Sequence, residues 1–319
     1  MTPALGLVCI TSTDAVRFRA MTRARLLTFK PAEQKTLLRQ LYLENVSRFR
    51  KAVDFCVAHD IRLYRMISSL FPFADDDAGA DVLDAIRPAI EAEGRRASAH
   101  RIRIVAHPDQ YVVLNSDQPA VVRNSIKILK LHGRVLDYLQ QPRTAWAAIE
   151  IHGGKSGRAS ELIGAIAGLE PKIRSRLVLE NDERAYGSDE MLKICQATRV
   201  PMVFDAHHHV IHGRLKSYDD PSVAACVSAA AKTWPNPDWQ LVHISNGSAS
   251  FLDPRHSDLI GTMPGSYARV PWIEVEAKHK EQAIERLRRT WPPAKRSRSE
   301  THTVSTAKTR SEKPSAARS

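Results

Sequence analysis

Histidine and carboxylate side chains follow short apolar runs at six places along this chain. Each run has the composition of a buried strand, and the polar residues that end the runs are His107, Glu150 with His152, Glu180, Asp205, His243 and Glu276. The carboxyl ends of parallel strands meet at one face of a sheet or barrel, where α/β enzymes hold their active sites. We therefore expect these side chains to converge.

These residue types are the usual ligands of divalent metal ions in hydrolytic sites. Asp205 and His208 lie three residues apart, so a turn after the strand would bring both to one site. A single histidine more often has a structural role, and it is the repeated position at strand ends that favours ligation. We assign no ligand role to His207 or His209, which point away from His208 in an extended stretch. The predicted ligands are His107, His152, Glu180, Asp205, His208, His243, His256 and Glu276.

Eight strands that alternate with helices must position these groups. The predicted strands are Leu5–Ile10, Ile61–Ile67, Ile102–His107, Ala145–His152, Leu177–Asp182, Pro201–Asp205, Gln240–Ser245 and Ile273–Ala277. The predicted helices are Glu33–His59, Asp81–Glu93, Pro119–Leu139, Glu161–Ile173, Asp189–Ala197, Pro221–Lys232 and Lys280–Arg289. This alternation predicts the α/β class and a single (β/α)8 TIM barrel over residues 1–290, with the metal cluster at the carboxyl ends of its strands. The stretch 246–270 has loop composition.

Composition limits the class of protein. The chain has 319 residues, is 43% hydrophobic and carries a formal net charge of +12. That charge is consistent either with a polyanionic partner or with a basic surface that maintains solubility. Four isolated cysteines without a CxxC motif are typical of a reducing compartment. No apolar run approaches the roughly 18 residues of a membrane span, and no secretion signal is recognisable. We expect a monomer in the cytoplasm, at the nucleoid, with no membrane partner.

Residues 291–319 differ from the rest in composition. They are rich in serine, threonine, alanine, lysine and arginine and contain one branched aliphatic residue, Val304. Such a segment cannot bury enough apolar area to order itself, which predicts a disordered basic tail. It is either a phosphate-binding arm or an inert end.

Several motifs resemble those of the UV damage endonuclease family, which is related to endonuclease IV. The resemblance covers roughly residues 5–285. The most specific matches are His107-Pro108-Asp109-Gln110-Tyr111, Leu179-Glu180-Asn181-Asp182-Glu183-Arg184, Asp205-Ala206-His207-His208, Val242-His243 with a later His256-Ser257, and Glu276-Ala277-Lys278, with Phe71-Pro72-Phe73-Ala74 in support.

The resemblance implies a function for each part of this constellation. It implies a TIM barrel that uses divalent ions, two or three Mn2+, to nick UV-damaged double-stranded DNA 5′ of pyrimidine dimers and 6-4 photoproducts, leaving a 3′-hydroxyl. The eight predicted ligands fall on the family's metal positions. Gln110 and Tyr111 fall on the loop that probes the duplex opposite the lesion. We assign catalytic roles to Glu180, Glu276 and Lys278, and backbone contacts to Arg17, Arg19 and Arg23.

Two positions depart from the family pattern. Asp76 stands where the family often has a histidine, and aspartate can still bind a hard cation, so Asp76 joins the predicted ligands. Leu241 stands where the family often has a lysine that is modified to a carbamate near the metals. Leucine cannot carry that charge, which leaves the role of the group in this chain open.

Two other functions fit parts of the pattern. A sugar isomerase or epimerase on a xylose-isomerase-like barrel would use a similar metal site, although it would need neither a basic surface nor the Gln110–Tyr111 pair. A non-catalytic damaged-DNA-binding relative would account for the changes at Asp76 and Leu241.

Overall fold

Eight parallel strands close into a barrel in the computed structural model, which describes residues 2–291. Neighbours in the barrel are also neighbours in sequence, and β1 closes the ring by pairing with both β2 and β8. The predicted TIM barrel is confirmed. The strands are β1 Ala4–Val8, β2 Leu63–Met66, β3 Arg103–Ala106, β4 Ile149–His152, β5 Leu177–Glu180, β6 Met202–Asp205, β7 Leu241–Ile244 and β8 Trp272–Val275.

Helices surround the barrel and fill most of the connections. They are α1 Arg23–Leu26, α2 Pro31–Ala58, α3 Asp77–Ala85, α4 Arg87–Ala99, α5 Pro119–Tyr138, α6 Ala159–Ala167, α7 Pro171–Arg174, α8 Ser188–Thr198, α9 Ala206–His212, α10 Pro221–Ala231 and α11 Lys280–Thr290. Proline occupies the first turn of several of them, where its missing N–H costs no hydrogen bond. As predicted, the connection after β7 has no α-helix and contains only a 3-10 turn at Gly265–Arg269.

Four details of the predicted elements are wrong. The predicted helix Asp81–Glu93 is two helices, α3 and α4, because Pro88 begins a new helix at its first turn. The predicted helix Glu161–Ile173 ends at Gly168, and Pro171 begins α7 for the same reason. The first residues of the predicted strand Ala145–His152 form a 3-10 turn. The stretch after β6, taken as extended, is the short helix α9.

Alternate strand residues point into the barrel and divide its interior into layers. Outward-facing residues such as Tyr64, Ile104 and Phe204 pack beneath the helices in the main core. The inward-facing residues near the amino ends of the strands form a separate apolar cluster, which includes Leu63, Val105, Val178, Val203 and Leu241. Two residues beyond each of these five, the inward-facing positions carry polar groups, namely Arg65, His107, Glu180, Asp205 and His243. Leu241 therefore lies in the apolar layer, beneath His243.

A buried arginine closes the amino end of the barrel. Arg103 is fully buried, and its guanidinium lies 4.8 Å from the ring centre of Trp146 and 5.3 Å from that of Trp272. It donates hydrogen bonds to the carbonyl oxygens of Trp146, Trp239 and Ala145 at 2.7, 3.0 and 3.2 Å. Burial lowers the pKa of Arg103 to about 9. The cation thus supplies hydrogen-bond donors to three backbone carbonyl oxygens at this end of the barrel.

Two sequence expectations concern the ends of the chain and its environment. The predicted domain boundary at residue 290 falls at the end of α11, while residues 292–319, and with them nearly all of the predicted tail, lie outside the described residues. None of the helices between residues 2 and 291 is long and apolar enough to cross a bilayer.

Replacing Arg103 should destabilise the fold strongly. Arg103→Met leaves three backbone carbonyls at a largely buried site without their donor, and we expect a loss of about 3–5 kcal/mol in the free energy of unfolding. Urea unfolding followed by circular dichroism measures it. Arg62→Met is the matched control, because Arg62 is exposed and pairs only with the exposed Asp60. Equal unfolding midpoints for the two variants would show that the barrel end does not depend on this cation.

Candidate metal centre

Glu180 lies at the centre of a cluster of imidazoles at the carboxyl end of the barrel. Its Oε2 lies 3.4 Å from His107 Nε2 and 3.7 Å from His152 Nε2. Its Oε1 lies 2.9 Å from His243 Nδ1 and 3.8 Å from His208 Nε2. Sheet register produces this convergence, since His152 on β4 is the direct partner of Glu180 on β5. One carboxylate thus offers each of its oxygens to a different pair of histidines.

Asp205 ends β6 and begins α9. Its Oδ1 accepts hydrogen bonds from the N–H groups of His207 and His208, at 2.6 and 2.8 Å, and so caps the helix. Its Oδ2 is buried and has no hydrogen-bond partner among the described residues. The helical turn brings His208 beside it, so that Glu180, Asp205 and His208 present donor atoms within 4.8 Å of one another. An orphaned carboxylate oxygen in this position suits a bound cation.

His243 and Glu276 extend the cluster towards β8. His243 on β7 is the register partner of Asp205, and its Nδ1 lies 3.6 Å from Glu276 Oε1. Asp205, His243 and Glu276 form a further group of donors within 4.8 Å. His256, from the loop after β7, reaches Glu276 at 3.7 Å. The eight residues predicted from the strand ends are therefore brought to one pole of the barrel.

A second charged layer lies beneath this cluster, inside the barrel. His243 Nε2 lies 2.8 Å from Glu274 Oε2 and 3.4 Å from Glu150 Oε2. Arg65 contacts Glu274 at 2.5 Å and Glu150 at 3.7 Å, and it also pairs with Glu276. Burial, reinforced by the neighbouring Glu274 carboxylate, raises the pKa of Glu150 to about 7. These four groups connect the interior of the barrel to its carboxyl pole.

Negative charge exceeds fixed positive charge in these two layers. Glu150, Glu180, Asp205, Glu274 and Glu276 are fully or largely buried, and Arg65 is the one arginine or lysine between residues 2 and 291 that forms ion pairs with them.

The surplus charge is consistent with the shifted pKa values. Burial opposes ionisation of Glu180, yet the nearby charges of His243 and His152 hold its pKa well below the usual value. Burial likewise opposes protonation of His243, and the Glu180 carboxylate overcomes it and raises the pKa of that imidazole. A proton on His243 thus compensates part of the buried negative charge, which bound divalent cations would compensate fully. The donor set fits metal ions, and His107, His152 and Glu180 complete another group of three.

Several predicted residues lie outside the cluster. Asp76 precedes α3 and pairs with Arg23 at 2.5 Å, and it belongs to none of the groups of three donors. Lys278 is half-exposed and faces Ser248 at 3.2 Å and Asp258 at 3.6 Å. The structure therefore places neither side chain against the central carboxylates, and their predicted roles as ligand and catalytic group stay predictions.

The residues predicted to contact DNA lie on the same face as the cluster. Gln110 and Tyr111 form a 3-10 turn that follows β3 and His107, and the side chain of Tyr111 is 71% exposed. Arg17 and Arg19, in the loop after β1, contact Asp14 at 2.7 Å and Glu44 at 3.7 Å. The guanidinium of Arg23 lies 5.0 Å from the ring centre of Phe73. These arginines are tethered by acidic neighbours.

The sequence did not point to every charged group of the site. Glu183, in the loop after β5, lies 2.9 Å from His208 Nδ1, and hydrogen bonding to that imidazole lowers the pKa of Glu183 to about 2. Arg65 and Glu274 were also missed, while Glu150 was noted at the end of an apolar run but not predicted as a ligand. The available signal was a charged residue within each of the short strands β2, β4 and β8, at Arg65, Glu150 and Glu274.

The neighbouring histidines have protein partners instead. His207 is fully buried, with Nε2 2.9 Å from the carbonyl oxygen of Asp253 and Nδ1 2.7 Å from the hydroxyl of Tyr218. His209 contacts the hydroxyls of Ser188 and Ser222. Withholding a ligand role from His207 and His209 is consistent with these contacts, although the reason is the direction of side chains on α9 rather than on a strand.

The fold and the site together define a TIM-barrel enzyme with a candidate metal centre at the carboxyl ends of its strands. A model of the family described as UV-endonuclease UvdE matches residues 3–303. The chain belongs to this family, and the predicted family and enzyme class, an endonuclease, are confirmed.

Individual proteins support this assignment. A protein named UV DNA damage endonuclease from Nostoc sp. is 52% identical over 91% of this chain and 90% of its own length. One of the same name from Deinococcus radiodurans is 50% identical over 90% of this chain and 95% of its own length. A crystal structure titled SacUVDE superposes with a TM-score of 0.72 at 24% identity, covering 90% of this chain and 98% of that one. The last comparison supports the fold.

Asp205 offers a test of the metal site that spares the helix. Asp205→Asn keeps an N-cap side chain for α9 but removes the charge of the orphaned oxygen, and we expect at least about a tenfold loss of Mn2+ affinity. Isothermal titration calorimetry measures it. Asp220→Asn is the control, because Asp220 caps α10 in the same way, through the N–H of Ser222, and belongs to none of the groups of donors. If both variants bind Mn2+ like the wild type, Asp205 is not a ligand.

Proposed function

We propose that this protein nicks UV-damaged duplex DNA on the 5′ side of pyrimidine dimers and 6-4 photoproducts and leaves a 3′-hydroxyl. The observation that carries this proposal is the surplus of buried carboxylates at the carboxyl pole, arranged with histidines in groups of three donors. Family membership directs this site towards DNA. The partner of the protein is UV-damaged double-stranded DNA. The protein binds it as a monomer, at the nucleoid.

Two or three divalent ions, with Mn2+ as the expected metal, fit this donor set. When bound, such ions lower the pKa of coordinated water and neutralise charge on a phosphate. Glu180 belongs to two of the groups of donors and would help to hold ions at both. Glu276 belongs to another group and has His256 beside it. His107, His152, Asp205, His208 and His243 would complete the coordination.

Residues around the cluster would hold the DNA. Lys278 lies at the rim and is long enough to neutralise a phosphate oxygen if it leaves Asp258. Arg17, Arg19 and Arg23 border the same face and would contact the phosphate backbone, with an affinity that falls steeply as salt rises. Gln110 and Tyr111 would fill the gap left when a damaged dipyrimidine leaves the base stack.

The alternative functions receive less support. Membership of the endonuclease family argues against a sugar isomerase. The other alternative, a non-catalytic damaged-DNA-binding relative, rests on the departures from the family pattern at Asp76 and Leu241. Leu241 packs in the apolar layer and Asp76 pairs with Arg23, yet the groups of donors are complete without either residue. The complete groups of donors support a catalytic site over a decayed one.

Glu180→Gln should abolish nicking while it leaves the fold intact, since the amide has the same shape but cannot balance cations. We expect at least about a 100-fold slower conversion of UV-irradiated supercoiled plasmid in Mn2+, a loss as large as outer partners of metal ligands can cause. Glu190→Gln, on the exposed face of α8, is the control. Equal nicking of irradiated and untreated plasmid by the wild type, or nicking that survives EDTA, would contradict the proposal.

Tyr111 should contribute to lesion recognition and little to stability, because its ring is exposed. Tyr111→Ala should weaken discrimination between irradiated and untreated DNA by about tenfold, since stacking of a base on an aromatic ring contributes about 1–3 kcal/mol. Tyr111→Phe should restore it. The ratio of kcat/KM for the two substrates measures the effect, with Val57→Ala as an exposed apolar control. Unchanged discrimination in Tyr111→Ala would remove Tyr111 from recognition.

A further inference from the structure

A second concave site lies at the opposite end of the barrel from the metal cluster. A cleft of about 840 Å³ opens there, and its walls come from the segments that lead into β4, β5, β6 and β7. Arg174 precedes β5, Arg199 precedes β6 and Trp239 precedes β7. Because the predicted ligands follow the same strands at their carboxyl ends, the barrel separates the two sites. The cleft is therefore not an extension of the metal centre.

The cleft is positively charged. Arg174, Arg199 and Lys232 line it, all three are exposed, and none forms an ion pair with another residue between 2 and 291. A further lining residue, Arg143, is neutralised by Asp137 at 3.0 Å. No lining residue of the cleft is acidic. Cations gathered around one cavity without counter-charges create a positive potential that attracts anions.

The walls also offer a flat apolar surface and an unused polar group. Trp239 is half-buried in the wall, beside the buried Trp234. The hydroxyl of Thr144, also in the lining, is buried and has no hydrogen-bond partner among the described residues. Indole rings are surfaces on which nucleobases stack. The volume lies within the usual range of roughly 300–1,000 Å³ for small-molecule sites.

We propose that this cleft is a second ligand site, which binds a nucleoside phosphate. The phosphate lies among Arg174, Arg199 and Lys232, and the base stacks on Trp239. Two sources share this chemistry, a free mononucleotide and a nucleotide within a DNA strand. The limited volume of about 840 Å³ and the single half-buried tryptophan favour the free mononucleotide.

Isothermal titration calorimetry on the full-length protein tests the proposal. The buffer contains EDTA, so that no metal ion at the carboxyl pole can bind phosphate. The probes are dAMP, inorganic phosphate and a six-nucleotide single strand. We expect saturable binding of dAMP, weaker binding of phosphate, and no tighter binding per site for the oligonucleotide. Arg174→Gln combined with Lys232→Gln should weaken dAMP binding at least tenfold. Arg199→Gly should weaken it too, and glycine tolerates the φ of +57° at this position.

Control variants separate the cleft from general charge. Arg95→Gln with Lys193→Gln makes the same change of charge on exposed residues that do not line the cleft, and it should leave dAMP binding unchanged. Trp239→Leu should weaken dAMP binding but not phosphate binding. All these variants should nick irradiated plasmid at the wild-type rate.

Three results would overturn the proposal. The first is no saturable binding of dAMP by the wild type. The second is an equal loss of binding in the cleft variants and the control variants. The third is binding of the oligonucleotide without binding of dAMP, which would identify a strand-binding surface instead.

Discussion

Electrostatic imbalance at the carboxyl pole is the constraint on which the rest of the site depends. Buried carboxylates from β4, β5, β6 and β8 gather there, and Arg65 forms ion pairs with three of them, Glu150, Glu274 and Glu276. Such an arrangement is costly unless cations or protons compensate it. The carboxylates raise the pKa of His243 and of His208, which favours the protonated form of these two imidazoles. The same histidines can exchange those protons for metal ions, so that ion binding and proton release are coupled.

The layered interior confines this cost to one end of the molecule. Leu241 and its neighbours separate the charged layer from the amino end of the barrel, where Arg103 and the tryptophans close the structure. Arg103 is satisfied by three carbonyls and by aromatic rings, and it forms no ion pair with a carboxylate among residues 2–291. Arg65, in contrast, forms ion pairs with Glu150, Glu274 and Glu276. Two buried arginines on adjacent strands thus stabilise opposite ends of the barrel by different interactions.

The order of elements and the convergence of the strand ends could be predicted from the sequence, because both follow from the alternation of apolar runs with polar endings. His152 and Glu180 were found since each ends a run and their register is that of a parallel sheet. Arg65 was not found, because a charge inside a short strand gives no sign of which face it occupies. The basic cleft could not be predicted from the sequence for another reason. Its residues come from four separate connections, which the closed barrel brings together.

Asp205 has a consequence for the speed of cation capture. One of its oxygens fixes the start of α9 and thereby the position of His208, while the other has no hydrogen-bond partner among residues 2–291. The cap of α9 itself thus sets the geometry of two ligands, and little chain rearrangement is needed to receive an ion. The rate of metal binding should then be limited by the loss of hydration water from the ion. Mg2+ should therefore bind slowly, because it dehydrates reluctantly.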